Sequence, residues 1–110
     1  MDRPNDIHIR TALLLSVQRA LLGMVPASLR AVISDRLGTQ IQLQFVFDGQ
    51  IAEDDFEAAQ IAGTEVIADF DAPWTITEDI FRLDYPADFR PSTLKHRAFM
   101  RKECNTDGGW

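Results

Sequence analysis

Histidine, cysteine and paired carboxylates are the side chains through which this chain could do chemistry, and their spacing supports little of it. His8 and His96 lie far apart in different charge contexts, with no cysteine or second histidine at ligand spacing, so no metal site is expected. Asp69-x-Asp71 begins like a calcium loop, but the position that needs the final bidentate glutamate is held by Ile80. Asp54-Asp55 and Glu78-Asp79 could supply an acid and a base, yet adjacent residues on a helix or strand do not face each other. No glycine-rich phosphate loop, nucleophile elbow or basic-aromatic nucleic-acid surface appears. The expectation is a protein without catalysis or cofactor. A small carboxylate-dependent enzyme or ligand-binding α+β domain, built on Asp69, Asp71, Glu78 or Asp79, is the alternative.

Charge carries more information than these motifs. The chain is acidic, at −6, and the acid is concentrated: residues 48–88 hold twelve acids and one base, Arg82. The segments on either side are both net basic. Phosphates meeting that block would be repelled, which argues against direct nucleic-acid binding; a basic protein would be attracted and would associate faster. A solvated face that only keeps the protein soluble would show the same composition.

The elements that carry these residues follow from periodicity. Ile41, Leu43, Phe45 and Phe47 alternate with Gln40, Gln42, Gln44 and Val46, the pattern of a strand with one face on a core and one face wet. After Asp48-Gly49 the period becomes helical over residues 53–70, with Phe56, Ala59, Gly63, Val66, Ile67 and Phe70 on the inner side. Glu53, Asp54 and Asp55 occupy its first turn, where the helix dipole favours negative charge. At 100° per residue, Asp54, Glu57, Ile61 and Glu65 point outward, placing an apolar side chain among carboxylates.

Before these, residues 7–22 read as a helix with Leu13, Leu14, Val17, Ala20, Leu21 and Met24 inward. Leu15 and Leu22 lie opposite that stripe, so a cover is expected there: another segment of the chain, a protein partner or a weak homodimer. Residues 29–37 form a second strand, with Leu29, Ala31 and Ile33 alternating against Arg30, Val32 and Ser34, joined to the first by a hairpin at Gly38-Thr39. Residues 74–85 read as an extended segment with broken alternation, reached by a connection of βαβ length, and residues 97–102 as a basic edge strand.

The expected fold is therefore α+β. Two helices pack on one face of a mainly antiparallel, three- to four-stranded sheet in the order α-β-β-α-β, with residues 97–102 as the candidate last strand. A chain of 110 residues is one domain and buries roughly 65% of its unfolded surface. Residues 7–102 form the expected ordered core and 103–110 a mobile tail. The lone Cys104 has no partner thiol, the first residues lack a signal-peptide core, and no apolar run reaches a membrane span, so the cytoplasm is the expected address.

The runs ALLLSVQRALLG at 12–23, LRAV at 29–32, FDGQI at 47–51, TEVIADF at 64–70 and RLDYP at 82–86 resemble a family of small bacterial immunity proteins. These are the antidotes encoded beside toxin domains of contact-dependent growth inhibition and related polymorphic-toxin systems. The resemblance spans about residues 11–86 and implies a non-catalytic protein that binds and neutralises its cognate toxin domain. The family has a small polar residue entering the acidic helix where this chain has Ala52, a poor cap. The resemblance supplies no binding residues. Charge and helix projection nominate Asp54, Glu57, Ile61, Glu65, Asp69, Asp71, Glu78 and Asp79 as toxin-binding, with a basic toxin, such as a nuclease, as the partner and no membrane or direct nucleic-acid contact.

Overall fold

The computed structural model describes residues 4–88, 94 and 96–103. Helix α1 (Pro4–Ala20) is followed by β1 (Leu29–Leu37), β2 (Gln40–Phe47), α2 (Glu53–Ala68), β3 (Thr75–Arg82) and β4 (His96–Met100). The strands form one sheet in the order β3-β2-β1-β4. β1 pairs antiparallel with β2 and with β4, while β2 and β3 run parallel, joined by α2 as a crossover. The expected α+β arrangement, with its final basic edge strand, is the one formed.

The β1–β2 hairpin turns through Gly38 and Thr39, with Leu37 opposite Gln40. Gly38 has φ +61 while Thr39, like every other described non-glycine residue, has negative φ, the pattern of a two-residue turn that demands glycine at its first position. The alternation of β2 then puts Ile41, Leu43, Phe45 and Phe47 at no more than 1% exposure beneath the helices, with Gln40, Gln42 and Gln44 half-buried on the reverse face. From α1 come Leu13, Val17, Ala20 and Leu21; from α2 come Ala59, Ala62 and Val66. Burial of this set is the main stabilising term, at about 1.5–3 kcal/mol for each large side chain.

Several expectations change. Val46, read as solvent-facing, is fully buried. The reverse face of the sheet carries its own apolar cluster of Ala31, Ile33, Val46 and Leu94, flanked by Phe81, Leu83 and Met100. The register of β1 against β2 shifts between Leu29 and Ala31, placing one extra residue on β1. That bulge reverses the phase of the strand: Leu29 belongs to the helix-side core and Ala31 to the reverse cluster, although they were expected on one face. Arg30, Val32 and Ser34, which alternate with the apolar set, are buried as well.

Among the helices, α2 ends at Ala68 rather than residue 70, and Phe56 is 39% exposed instead of belonging to the core. The helix leans on its small residues Ala59, Ala62 and Gly63, and Phe56 projects about 70° from the centre of that buried set. Leu15 and Leu22 are 53% and 80% exposed, so the described residues do not supply the expected cover. Glu103, expected to open the tail, has a side chain only 3% exposed. Residues 104–110 lie outside the described residues.

Candidate functional site

Helix α2 starts without a side-chain cap. Ala52 is extended at φ −65, ψ 147, and the first helical bond runs from the Phe56 N–H to the Ala52 carbonyl at 2.9 Å. The orphaned amides of that first turn are met electrostatically by Glu53, Asp54 and Asp55. Beyond them the outer surface of the helix carries Asp54, Glu57, Ile61 and Glu65, all exposed, with Ile61 at 52%. An aliphatic side chain bordered by carboxylates on a rigid helix has the composition of an interface anchor with a charged rim.

The remaining nominated acids are not on that surface. Asp69 follows the last turn of α2, where its carboxylate accepts the Ser16 hydroxyl at 2.6 Å and the Arg19 guanidinium at 2.8 Å. These donors hold its pKa below the ordinary aspartate value, and they commit Asp69 to fastening α2 against α1. Asp71 is exposed in the turn beyond.

Glu78 and Asp79 occupy successive positions of β3 and therefore project to opposite faces of the sheet. Asp79 is exposed on the reverse face. Glu78 lies on the helix side beneath Gly63, where any Cβ would overlap its carboxylate. Its Oε2 is buried without a hydrogen-bond partner among the described residues, and burial pushes its carboxyl pKa up. The pair cannot act together as an acid and a base.

A second polar assembly, absent from the sequence-based nominations, occupies the other end of the sheet. Arg30, 2% exposed at its side chain, donates through Nε and Nη2 to both oxygens of Glu103 at 2.7 and 3.0 Å. Its Nη1 donates to the carbonyls of Leu83 and Ala87 at 2.7 and 2.9 Å, and its guanidinium lies 5.8 Å from the centroid of the Tyr85 ring. Arg101 bridges Glu103 and Asp48 at 2.9 and 3.0 Å. Asp84 accepts Arg82 and the Gly49 N–H, which together hold its pKa at about 2. Asp48, Tyr85, Arg101, Lys102 and Glu103 line a shallow cleft of about 180 Å³. The sequence signal for this assembly is an arginine inside an apolar strand, in LRAVIS, whose guanidinium needs acceptors wherever it is buried.

The fold and this helix surface define a small α+β domain whose nominated acids are spread over α2, β3 and the loop between them. Among the described residues, no helix is long and apolar enough to cross a membrane. Comparison with protein families matches residues 10–103 to the family described as MafI2 immunity protein, and the chain belongs to that family. Membership gives it an immunity function directed at a toxin, which is its cognate partner. The match continues through β4 to Glu103, so it takes in the Arg30–Glu103 assembly as well as the blocks up to residue 86. No curated protein matches the chain.

Proposed function

We propose that the protein neutralises a basic toxin domain, such as a nuclease, by covering its active cleft with the outer face of α2, and that it does so in the cytoplasm. The observation that carries this reading is Ile61, 52% exposed on a helix face that also presents Asp54, Glu57 and Glu65. Ile61 is the anchor that water must leave on binding, and the carboxylates are the rim that steers encounter. Asp71 and Asp79, both exposed, extend the negative field beyond the helix. Asp69 contributes chiefly by fixing the helix. Occupation of a nuclease cleft by carboxylates would displace the phosphates that the cleft is built to hold.

The test is binding kinetics against the cognate toxin domain at low and high salt. The paired substitution Glu57→Lys and Glu65→Lys should slow association and flatten its salt dependence, while Ile61→Asp should mainly speed dissociation. Wild-type rates for both variants, with the fold intact, would move the interface elsewhere. The exposed Leu15 and Leu22 favour a second reading, a weak homodimer through α1, which equilibrium sedimentation would detect as a concentration-dependent mass.

A further inference from the structure

Among the described residues, the first strand in the sheet order, β3, has a neighbour on one side only. Its register against β2 runs without a shift from Gln40↔Thr75 to Phe47↔Arg82. The Thr75 N–H donates to the Thr39 carbonyl and the Leu83 N–H to the Phe47 carbonyl, at 3.0 and 2.8 Å. In a parallel ladder, alternate residues bond to the same neighbour, so the amides of Thr75, Thr77, Asp79, Phe81 and Leu83 face β2. The N–H and C=O groups of Ile76, Glu78 and Ile80 face outward, and no described strand pairs with them. The strand is regular over its length, with no proline and no bulge, which are common means of blocking an edge.

The side chains of those same residues lie on the helix side. Ile76 and Ile80 pack against the main core yet are only half-buried, because no described strand lies beyond them. Between them sits Glu78, with its buried, unpartnered Oε2 in the notch left by Gly63. Among the described residues no donor reaches that oxygen, and an added strand would bring side chains to the same face at the same level.

We propose that the open edge of β3 accepts an extended segment of the cognate toxin as an additional strand, with a lysine or arginine of that segment paired to Glu78. The outward amides and carbonyls supply the backbone bonds, the flanks of Ile76 and Ile80 supply apolar contact, and the unpaired carboxylate selects a basic residue at one position. Asp79, exposed on the opposite face of the same strand, adds attraction for a basic segment. This inference shares with the function proposed above the premise that the toxin's contact surface is basic, but it places the contact on backbone rather than on α2.

Amide hydrogen exchange on the full chain, free and bound to a catalytically dead cognate toxin domain, tests it. In the free protein the amides of Ile76, Glu78 and Ile80 should exchange readily while those of Thr77 and Asp79 are already protected. In the complex, protection of the outward set should rise by about tenfold or more, as for newly formed ladder bonds. Glu78→Gln should weaken binding by about tenfold or more, the loss expected when a desolvated charge pair is broken. Ile80→Pro should weaken it further than Ile80→Ala, which removes the same side chain but keeps the N–H; both variants are checked for fold by circular dichroism. Unchanged exchange of the outward amides in a formed complex would overturn the proposal, and α2 kinetics would remain as an independent measure of the other surface. Absence of any complex with the wild-type protein would overturn both.

Discussion

Replacing Glu103 with alanine should destabilise the protein severely, although the residue follows the last strand. Both oxygens of its carboxylate are bound by Arg30, Arg101 adds a bond to one of them, and the Arg30 and Glu103 side chains are 2% and 3% exposed. Without Glu103, the Arg30 guanidinium keeps its bonds to the Leu83 and Ala87 carbonyls but loses the carboxylate that binds both its Nε and its Nη2. Breaking a buried pair by removing one partner costs about 3–5 kcal/mol, because the remaining charge stays desolvated. Against a typical domain stability of about 5–15 kcal/mol, that is a large fraction. Urea denaturation at neutral pH, followed by circular dichroism, measures it. The pH dependence supplies a second, signed readout. The Arg30 hydrogen bonds hold the Glu103 pKa below its ordinary value of 4.5. The pair's contribution is therefore complete above that value and is lost as pH falls through the lowered one. Wild type and Glu103→Ala should converge in stability on acidification. A loss under about 1 kcal/mol at neutral pH, the range of ordinary surface substitutions, would refute the reasoning and return Glu103 to the tail.

Two further outcomes bear on the core and on β3. Phe45→Ala should cost about 3–5 kcal/mol in the same titration, since Phe45 is 1% exposed within the helix-side core; a loss under about 1 kcal/mol would contradict its place there. Glu78→Met should raise stability at neutral pH by about 1 kcal/mol, the low end of the cost of an unsatisfied buried acceptor, because the side chain is only half-buried. Burial raises the Glu78 pKa above 4.5, so the wild-type side chain is best tolerated when protonated; the gain from methionine should be full above the raised value and vanish below about 4.5. If the gain is constant across pH, ionisation of Glu78 is not its cause. The same substitution should weaken toxin binding, so stability and function would move in opposite directions.

The elements of this protein were legible in the sequence because each is written in local periodicity. The alternation from Gln40 to Phe47 identified both a strand and its inner face, since successive side chains of a strand must diverge. The outward positions of Asp54, Glu57, Ile61 and Glu65 likewise followed from the helical repeat alone. Glycine at the β1–β2 turn and the length of the β2-to-β3 connection were enough to give the hairpin and the crossover. The short blocks between residues 12 and 86 were enough to point to the immunity family that the chain belongs to.

What periodicity could not reach was anything decided by a partner distant in the chain. Val46 occupies the wet phase of β2, yet Leu94 and Phe81 close over that face, so its burial depends on segments beyond the strand's own repeat. The bulge in β1 shifts phase by one residue, which moved Ala31 and Ile33 off the face of Leu29. Arg30 and Glu103 are 73 residues apart, and only their meeting turns a strand arginine and an apparent tail residue into the ionic core of the reverse face. Composition likewise grouped the acids of residues 48–88 into one block, whereas the sheet sends Glu78 and Asp79 to opposite faces and α1 claims Asp69. A charge's sign is a property of the residue, but its neighbours, its solvent and therefore its availability to a toxin are set only when the chain closes on itself.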